Sequence, residues 1–414
     1  MEREKADRRT KAGRQILITI ATVFLVSLVP GLQNASGQTS HDTLEQRIEV
    51  MEERLVNIEK ARDQEPSSPE IFDKISLGGL AAGAYQYQSV DDVPGFDDTG
   101  RGAFVFQPEI GFALTDADEI FTKFGFAAGN ALNDATVSPF IFAPWAADLE
   151  EDVKNINGRN RDYLLTAWYK HTFTFNKAGT LGITGGLIDG TDYLDENTFA
   201  NDEFTQFMNQ VLANAPNGFV PSYDVGGAVE WEFGQFTLKG VAMGVDENDD
   251  GRNYQFYGAN LGYTVDTKLG EGHYRVNVQW TSEDFNNITG DNLESRQCVI
   301  LSFDQQLGKI LGAWIRFGWQ DDDAAIEAKA VYSGGLDING RLWSREQDNI
   351  GIGYAYVDGG NQDLDTAHVF ETYVRFLLNK YVALTVDLQY QENKMKQGDS
   401  PSGFISAVRC VVEF

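Results

Sequence analysis

Hydrophobic residues follow two different periods along the chain, and the change falls near residue 75. Within residues 41–62 they recur at alternating spacings of four and three positions, with Glu, Gln and Arg between them. The members of this seam are Leu44, Ile48, Met51, Leu55 and Ile58. The spacing predicts a short coiled coil over 41–62, and a solvated amphipathic helix lying on the mouth of the barrel predicted below fits the same pattern. Residues 63–74 include the run DQEPSSP and predict a linker, because these residues end helices.

From residue 75 onward the period is two, the repeat of β-strands. About sixteen strands are predicted, at 75–88, 101–114, 119–128, 162–175, 180–189, 224–233, 235–246, 253–266, 273–283, 296–307, 311–320, 326–338, 348–357, 368–378, 381–391 and 403–414. Connections after even-numbered strands are mostly short, whereas those after odd-numbered strands tend to be longer and acidic. A closed barrel sorts its turns in this way, and a soluble sandwich has no reason to. The pattern therefore predicts an all-β fold over 75–414, an antiparallel transmembrane β-barrel of about sixteen strands.

The two faces of individual strands support a membrane location. In 311–320, Ile315, Phe317 and Trp319 share one side with other apolar residues, and the opposite side carries Arg316 and Gln320. A face this polar suits a water-filled lumen better than a packed core. The last strand, 403–414, alternates in the same way and ends on an aromatic residue, as final strands of bacterial outer-membrane barrels do. An ordinary edge strand of a soluble sheet is the alternative for that strand alone.

The N-terminus has the features of a secretory signal. Residues 1–15 hold six basic side chains, the apolar run Ile16–Val29 follows, and the small residues Ala35 and Gly37 come next. This order predicts a signal peptide over 1–37, with an uncleaved anchor as the alternative. Residues 41–62 would then lie in the periplasm, next to a barrel in the outer membrane.

Charge and composition exclude several classes of function. The chain has 62 acidic and 33 basic residues and a net charge of −29, which argues against binding nucleic acid. Cys298 and Cys410 cannot form a disulfide framework and are interpreted as inert thiols. The loop beginning at Asp246 matches the start of a calcium-binding loop, but Tyr257 stands where the closing Glu would be, so an acidic surface loop is favoured. No metal site and no cofactor are predicted. The histidines of the barrel are too scattered for a catalytic site, so the protein is not expected to be an enzyme.

Two connections are much longer than the others, at residues 130–161 and 190–223. A barrel of this width would be an unselective hole if it were empty, so we expect the second loop to fold inward, with an external cap as the alternative. Residues 203–212 within it are expected to be helical. The residues assigned to this constriction loop are Asp192, Tyr193, Asp195, Glu203 and Phe207.

Side chains facing inward at mid-strand height are the candidate solute-binding residues. The alternation places six charged groups there, namely Lys123, Arg316, Glu371, Arg375, Asp387 and Arg409. Acidic and basic groups facing each other across a narrow gap offer hydrogen-bond partners to hydroxyl-rich solutes. Three aromatic residues are also expected to face inward and could stack on sugar rings: Trp168, Trp314 and Tyr373. The alternative for each of these residues is an ordinary solvated position on the lumen wall.

From about residue 101 the chain resembles the carbohydrate-selective porin family of Gram-negative outer membranes. The segments that carry the resemblance are FQPEIGFALTDADEIFTKFGFAAGNALN, GGLIDGTDYLDENTFANDEFTQFMN, LGAWIRFGWQDD and ETYVRFLLNKYVALTVDLQY. The resemblance implies a sixteen-stranded barrel, an inward-folded loop, and passive diffusion of sugars past an eyelet lined with basic residues. On matching strands these basic residues would be Arg316 and Arg375, with Arg409 added by its phase. The N-terminal coiled coil is a departure from the simplest members.

Two other functions remain open at this point. The acidic loops fit a porin for another small solute, such as siderophores or ions, and the coiled coil fits a largely structural envelope protein. The expected partners are sugars or other small solutes, outer-membrane lipid with lipopolysaccharide, and further copies of the chain in a homo-oligomer such as a trimer.

Overall fold

A single antiparallel sheet forms most of the molecule. The computed structural model describes residues 74–91, 93–159, 163–176 and 179–414. Its strands are β1 Ile75–Val90, β2 Thr99–Ala113, β3 Asp118–Phe124, β4 Phe126–Ala128, β5 Leu164–Thr174, β6 Thr180–Ile188, β7 Asp224–Phe233, β8 Phe236–Val245, β9 Tyr254–Thr267, β10 Gly270–Thr281, β11 Phe285–Asn286, β12 Leu293–Glu294, β13 Gln297–Leu307, β14 Leu311–Gln320, β15 Ala328–Asn339, β16 Asn349–Gly359, β17 Leu364–Leu377, β18 Val382–Met395 and β19 Ser402–Glu413. In these described ranges no helix has both the length and the apolar character needed to cross a membrane.

The sheet closes on itself. Strand β19 pairs with β18 on one side and with β1 on the other, where Leu80 lies opposite Glu413 and Val90 lies opposite Gly403. Strands β3 and β4 both pair with β2 and act as one interrupted strand. The small β11–β12 hairpin pairs only within itself, so sixteen strands make the barrel. Closure removes both free edges, as the sequence predicts for a membrane barrel.

The prediction of one continuous strand over 119–128 is wrong at Gly125. The register between β3 and β5 shifts after Lys123, and the Gly125 amide donates to the carbonyl of Tyr163 outside the ladder. A Cβ at Gly125 would lie 2.7 Å from Leu165 Cδ1, so only glycine lets these two segments come so close. The β11–β12 hairpin is a further element that periodicity did not predict, because each of its strands is two residues long.

The predicted faces of the strands are confirmed. On β14, Ile315 and Trp319 are 44% and 41% exposed, whereas the alternate residues Trp314 and Arg316 are 2% and 0% exposed. The outward face of the barrel is therefore apolar and the inward face carries the polar groups, as a bilayer outside and water inside require. The ends of the barrel also differ. We call the end with the turns at 234–235 and 378–381 the short-turn end, and the opposite end the long-loop end.

Two long connections from the long-loop end lie inside the barrel. The first lumen loop, residues 129–159, includes helix α1 Glu150–Lys154, and the second lumen loop, residues 189–223, includes helix α2 Gln210–Ala213. The expected helix over 203–212 is thus reduced to its last part. Backbone groups of residues 203–209 instead bond side chains of the barrel wall, and these bonds take the place of helical hydrogen bonds.

The signal peptide over 1–37 and the coiled coil over 41–62 lie outside the described residues. The linker over 63–74 does as well, apart from Lys74. These three assignments stay predictions.

Candidate functional site

Buried charged side chains fix the second lumen loop to the barrel wall, among them Glu371, Arg316 and Arg409. The carboxylate of Glu371 on β17 accepts hydrogen bonds from the backbone amides of Met208, at 2.5 Å, and Asn209, at 3.0 Å. Glu371 is fully buried. Because a buried carboxylate is costly unless it is hydrogen-bonded, these two amides stabilise both the charge and the position of the loop.

Two arginines hold the same loop by its carbonyl groups. Arg409 on β19 donates to the carbonyl of Glu203 at 2.6 Å and to that of Gln206 at 2.9 Å. Arg316 on β14 donates to the carbonyls of Ala200, at 2.8 Å, and Leu212, at 3.2 Å, and its Nε lies 3.1 Å from Asp195 Oδ1. The rigid fork of a guanidinium suits this bridging of two acceptors. Loop segments ten or more residues apart are thereby held on the same wall.

An aromatic cluster supports this attachment. The ring of Phe207 lies edge-on to Trp314 on β14 and to Tyr373 on β17, with centroid distances of 5.6 and 5.2 Å. All three side chains are at most 2% exposed. A Cβ added at Gly353 on β16 would come within 2.8 Å of the Phe207 ring, so the glycine makes room for this contact. The cluster therefore packs the loop against the wall with little space between them.

The two lumen loops are also joined to each other. The backbone amide of Ala146 donates to Met208 O at 2.7 Å, and the indole Nε1 of Trp145 donates to Glu203 O at 3.1 Å. Near the other end of the second loop, the Tyr223 hydroxyl donates to Asp148 Oδ2 at 2.5 Å. The loops thus form one layer across the lumen.

The layer leaves a passage made of two cavities that meet. The outer cavity, toward the long-loop end, has a volume of about 410 Å³, and the inner cavity, toward the short-turn end, has about 430 Å³. Five residues line both cavities, and we call this boundary the narrow point: Ala146, Asp148, Thr191, Asn214 and Ser222. Four of these five side chains carry a carboxylate, hydroxyl or amide, so the narrow point offers hydrogen-bond donors and acceptors to a solute.

The walls of the passage are mainly acidic. The inner cavity is lined by one basic side chain, Lys123, and by six acidic ones, Asp148, Asp189, Asp192, Glu196, Asp202 and Glu203. The charged residues that line the outer cavity are all acidic: Asp148, Asp152 and Asp195. The expected eyelet of basic residues is therefore not what surrounds the passage in this chain. The positive groups of Arg316 and Arg409 lie behind the loop and contact its backbone.

Several carboxyl groups on the loops have raised pKa values. Burial raises the pKa of Asp148 to about 7, and the neighbouring Asp152 and Asp189 add to this effect. Burial together with Asp189 raises the pKa of Asp192 to about 7, and burial together with Asp202 raises that of Glu203 to about 8. Desolvation and like charges both disfavour the ionised form. The charge of the passage therefore changes near neutral pH.

The structure divides the predicted site residues into three groups. Lys123, Asp192, Asp195 and Glu203 line the passage, while Arg375 lines a separate cavity nearer the short-turn end. The others lie behind the passage, buried or packed between the loop and the wall: Arg316, Arg409, Glu371, Asp387, Trp314, Tyr373, Tyr193, Phe207 and Trp168. Those on strands point inward, as the alternation predicts, but the loop covers them. Trp168 is partly buried, stacks on Phe121 at 5.1 Å and packs near Tyr193 and Leu194.

Sequence patterns missed the residues at the narrow point. Asp148, Asn214 and Ser222 belong to irregular segments and Thr191 to a 3-10 helix of three residues, so no period shows which side chain points into the lumen. The unusual length of the two loops is the sequence signal available for these residues. It shows which segments are functional, but it does not show which residues within them face the lumen. Across the described part of the chain, no group of three or more His, Cys, Asp or Glu side chains is arranged to hold a metal ion.

One family model matches more than half of the chain. The family model described as carbohydrate-selective porin, OprB family, matches residues 147–414. An uncharacterized protein of Aquifex aeolicus (strain VF5) is 29% identical over 288 residues, which span 69% of this chain and 80% of that protein.

Solved structures share the fold. The high-pH structure of Pseudomonas putida OprB matches with a TM-score of 0.67 at 14% identity, covering 83% of this chain and 96% of that one. The anion-selective porin from Comamonas acidovorans matches with a TM-score of 0.50 at 13% identity, covering 82% and 99%. At these identities the likeness is one of barrel architecture.

Proposed function

Because the chain belongs to the carbohydrate-selective porin, OprB family, and is an outer-membrane sugar channel, we propose that sugars cross it through the passage between the two lumen loops. The observation that carries this proposal is the meeting of two cavities at a polar narrow point formed by Asp148, Thr191, Asn214 and Ser222. Sugar hydroxyls both donate and accept hydrogen bonds, and the side chains here supply partners for each role. The family consists of channels and is not a class of enzymes.

The dimensions support binding as well as passage. Each cavity, at about 410 and 430 Å³, is within the range of roughly 300–1,000 Å³ that small-molecule sites occupy. A solute in either cavity is surrounded by polar groups on fixed loops. Binding must stay weak for a channel to conduct, and the hydrogen bonds offered here compete with those of water. We therefore expect a saturable but low affinity for sugars.

Planar-bilayer conductance, titrated with glucose and short maltodextrins, tests this function. We expect a saturable block of the ion current, weakened about threefold or more in Asp148→Asn, since one hydrogen-bond acceptor of the constriction loses its charge. Asp322→Asn is the matched control, because Asp322 is exposed beside Lys329 and away from the passage. A channel that sugars do not block, or a block unchanged in Asp148→Asn, contradicts the proposed route.

Small cations are a second candidate class of solute. The six carboxyl groups around the inner cavity support it, because a narrow space lined by one sign of charge concentrates counter-ions. The reversal potential in a potassium chloride gradient measures this preference directly. A clear cation preference without sugar block would favour an ion porin over a sugar porin.

Assembly at the membrane is proposed from the sequence. Residues 1–37 would direct export, and 41–62 would lie in the periplasm and join copies of the chain into a homo-oligomer such as a trimer, with lipid and lipopolysaccharide around the barrel. Deleting 41–62 is expected to change the oligomeric state measured by light scattering while leaving single-channel conductance nearly unchanged. An unchanged oligomer would overturn this part.

A further inference from the structure

A third cavity, of about 400 Å³, lies beyond the passage, toward the short-turn end. Its walls come from the short-turn ends of β15, β16, β17 and β19 and from the side of the second lumen loop that faces this end. Asp202 lines both this cavity and the inner cavity of the passage. We call it the exit cavity. It lies at the short-turn end of the lumen, where a solute that crosses the passage would leave the barrel.

The basic residue of the exit cavity has few tight partners. The side chain of Arg375 is only 14% exposed, yet its nearest acceptors are distant: Gln347 O at 3.5 Å and Glu413 Oε2 at 4.0 Å. Its buried Nε has no hydrogen-bond partner within the described residues. A buried guanidinium with free donors is costly, because its hydration has been removed without replacement. The Nη groups of Arg375, whose contacts are 3.5 and 4.0 Å long, therefore retain hydrogen-bonding capacity toward the cavity that the residue lines.

Arg345 offers a contrast to Arg375. Arg345, at the same end of the barrel, makes a close bidentate contact with Asp348 and also donates to Leu377 O at 3.0 Å. Arg345 does not line the exit cavity. The same end of the barrel thus contains one arginine that makes close contacts with its neighbours and another, Arg375, whose contacts are long.

Acidic and amide groups complete the lining. Glu413, Asp337 and Asp202 supply carboxylates, and Asn349 donates to Asp337 Oδ1 at 2.6 Å, which fixes the position of that acceptor. Because carboxylates outnumber the single guanidinium of Arg375, a phosphate or carboxylate ligand would meet net repulsion. A neutral polyol meets a different environment, since its hydroxyls can accept from Arg375 and donate to the surrounding carboxylates.

We infer that the exit cavity is a second binding subsite for neutral monosaccharides, with Arg375 as its donor and Glu413 and Asp337 as its acceptors. This inference rests on the proposed function, in which sugars cross the passage. It adds a site on the far side of the constriction, so that sugar binds twice along the route. A channel with two unlike sites in series is expected to be blocked differently from its two sides.

Side-resolved glucose block in planar bilayers tests the inference. A protease site inserted at the exposed Gly290, on a long loop, identifies the orientation of each channel. With glucose added on the short-turn side, Arg375→Ala should weaken the block about fivefold, the effect of losing one or two hydrogen bonds. With glucose on the long-loop side, the same variant should keep a block close to that of the native channel.

Two further variants make the outcome decisive. Arg341→Ala removes an exposed arginine at the same end, outside the exit cavity, and should leave both blocks unchanged. Glu413→Ala removes a half-exposed acceptor and should weaken the short-turn-side block if Arg375→Ala fails to fold. An equal effect on both sides, or no effect of either cavity variant, overturns the subsite. If glucose blocks the native channel from neither side, the proposed function itself fails, which is a distinguishable result.

Discussion

At the scale of single residues, the direction in which a side chain points does not determine whether solvent reaches it. Strand alternation places Arg316 and Arg409 inward, and both side chains do point inward. Both are nevertheless 0% exposed, because the second lumen loop covers them and its carbonyl groups occupy their donors. A charged side chain in a lumen can bind solute or bind protein. The choice depends on a segment more than a hundred residues away in sequence, which no local pattern reveals.

Arg409→Lys tests whether the guanidinium positions the loop. A lysine keeps the charge but cannot bridge Glu203 O and Gln206 O in the fixed geometry of a fork, so one buried carbonyl loses its partner at a cost of about 1–3 kcal/mol. We expect single-channel conductance to increase by roughly half and open-channel current noise to rise as the loop moves. Arg341→Lys, on the exposed rim, serves as the control. Native conductance and noise in Arg409→Lys would show that the loop is held by other contacts.

At the scale of elements, local sequence patterns predicted the closing strand well and the lumen loops poorly. The terminal strand follows its alternation, and its last residue completes the closure: the amide of Phe414 donates to Gly79 O at 3.1 Å and Gly79 N donates to Phe414 O at 3.2 Å. The ring of Phe414 also stacks on Phe106, with centroids 6.3 Å apart. The lumen loops lack such regularity, and the helix expected over 203–212 formed only at 210–213.

Phe414→Ala is expected to weaken closure of the barrel. The substitution removes an apolar ring that packs outside the β1–β2 pair, with a loss of about 1–3 kcal/mol because the ring is partly exposed. The folded fraction is measured by the heat-dependent shift in gel mobility that folded barrels show, and by tryptophan fluorescence in detergent. Phe404→Ala, an outward residue at the opposite end of the same strand, is the matched comparison. Equal folding of the two variants would show no special role for the terminal ring.

At the scale of the whole molecule, charge is distributed so that the passage responds to pH. Asp148 and Asp192, with pKa values raised to about 7, and Glu203, at about 8, lose their protons only as pH rises through neutrality. Facing them are Asp152, Asp189, Asp202 and Lys123. Below the raised values the three carboxyls are neutral, and above them the passage gains up to three negative charges. The folded protein holds these protons more tightly than the unfolded chain, so their contribution to stability also falls as pH rises.

The permeability ratio of potassium to chloride should therefore rise between about pH 6 and about pH 9, because the ionised passage attracts cations more strongly. Reversal potentials in a salt gradient at several pH values measure it. Glu203→Gln should flatten the upper part of the curve, since that group titrates last. Asp322→Asn, away from the passage, should leave the curve unchanged. A ratio independent of pH would contradict the placement of these carboxyls in the conducting path.

The sequence by itself determined the barrel, because a strand in a membrane must show one face to lipid and the other to water, and this requirement repeats every two residues along 75–414. It also determined which side chains point inward and which two loops are long. Only the tertiary structure decided which inward groups meet solvent. Arg316, Arg409 and Glu371 bind the second lumen loop. Arg375 lines a cavity, and Asp148 lies at the narrow point. These outcomes depend on irregular segments whose path is set by distant contacts, and such contacts leave no period in the sequence.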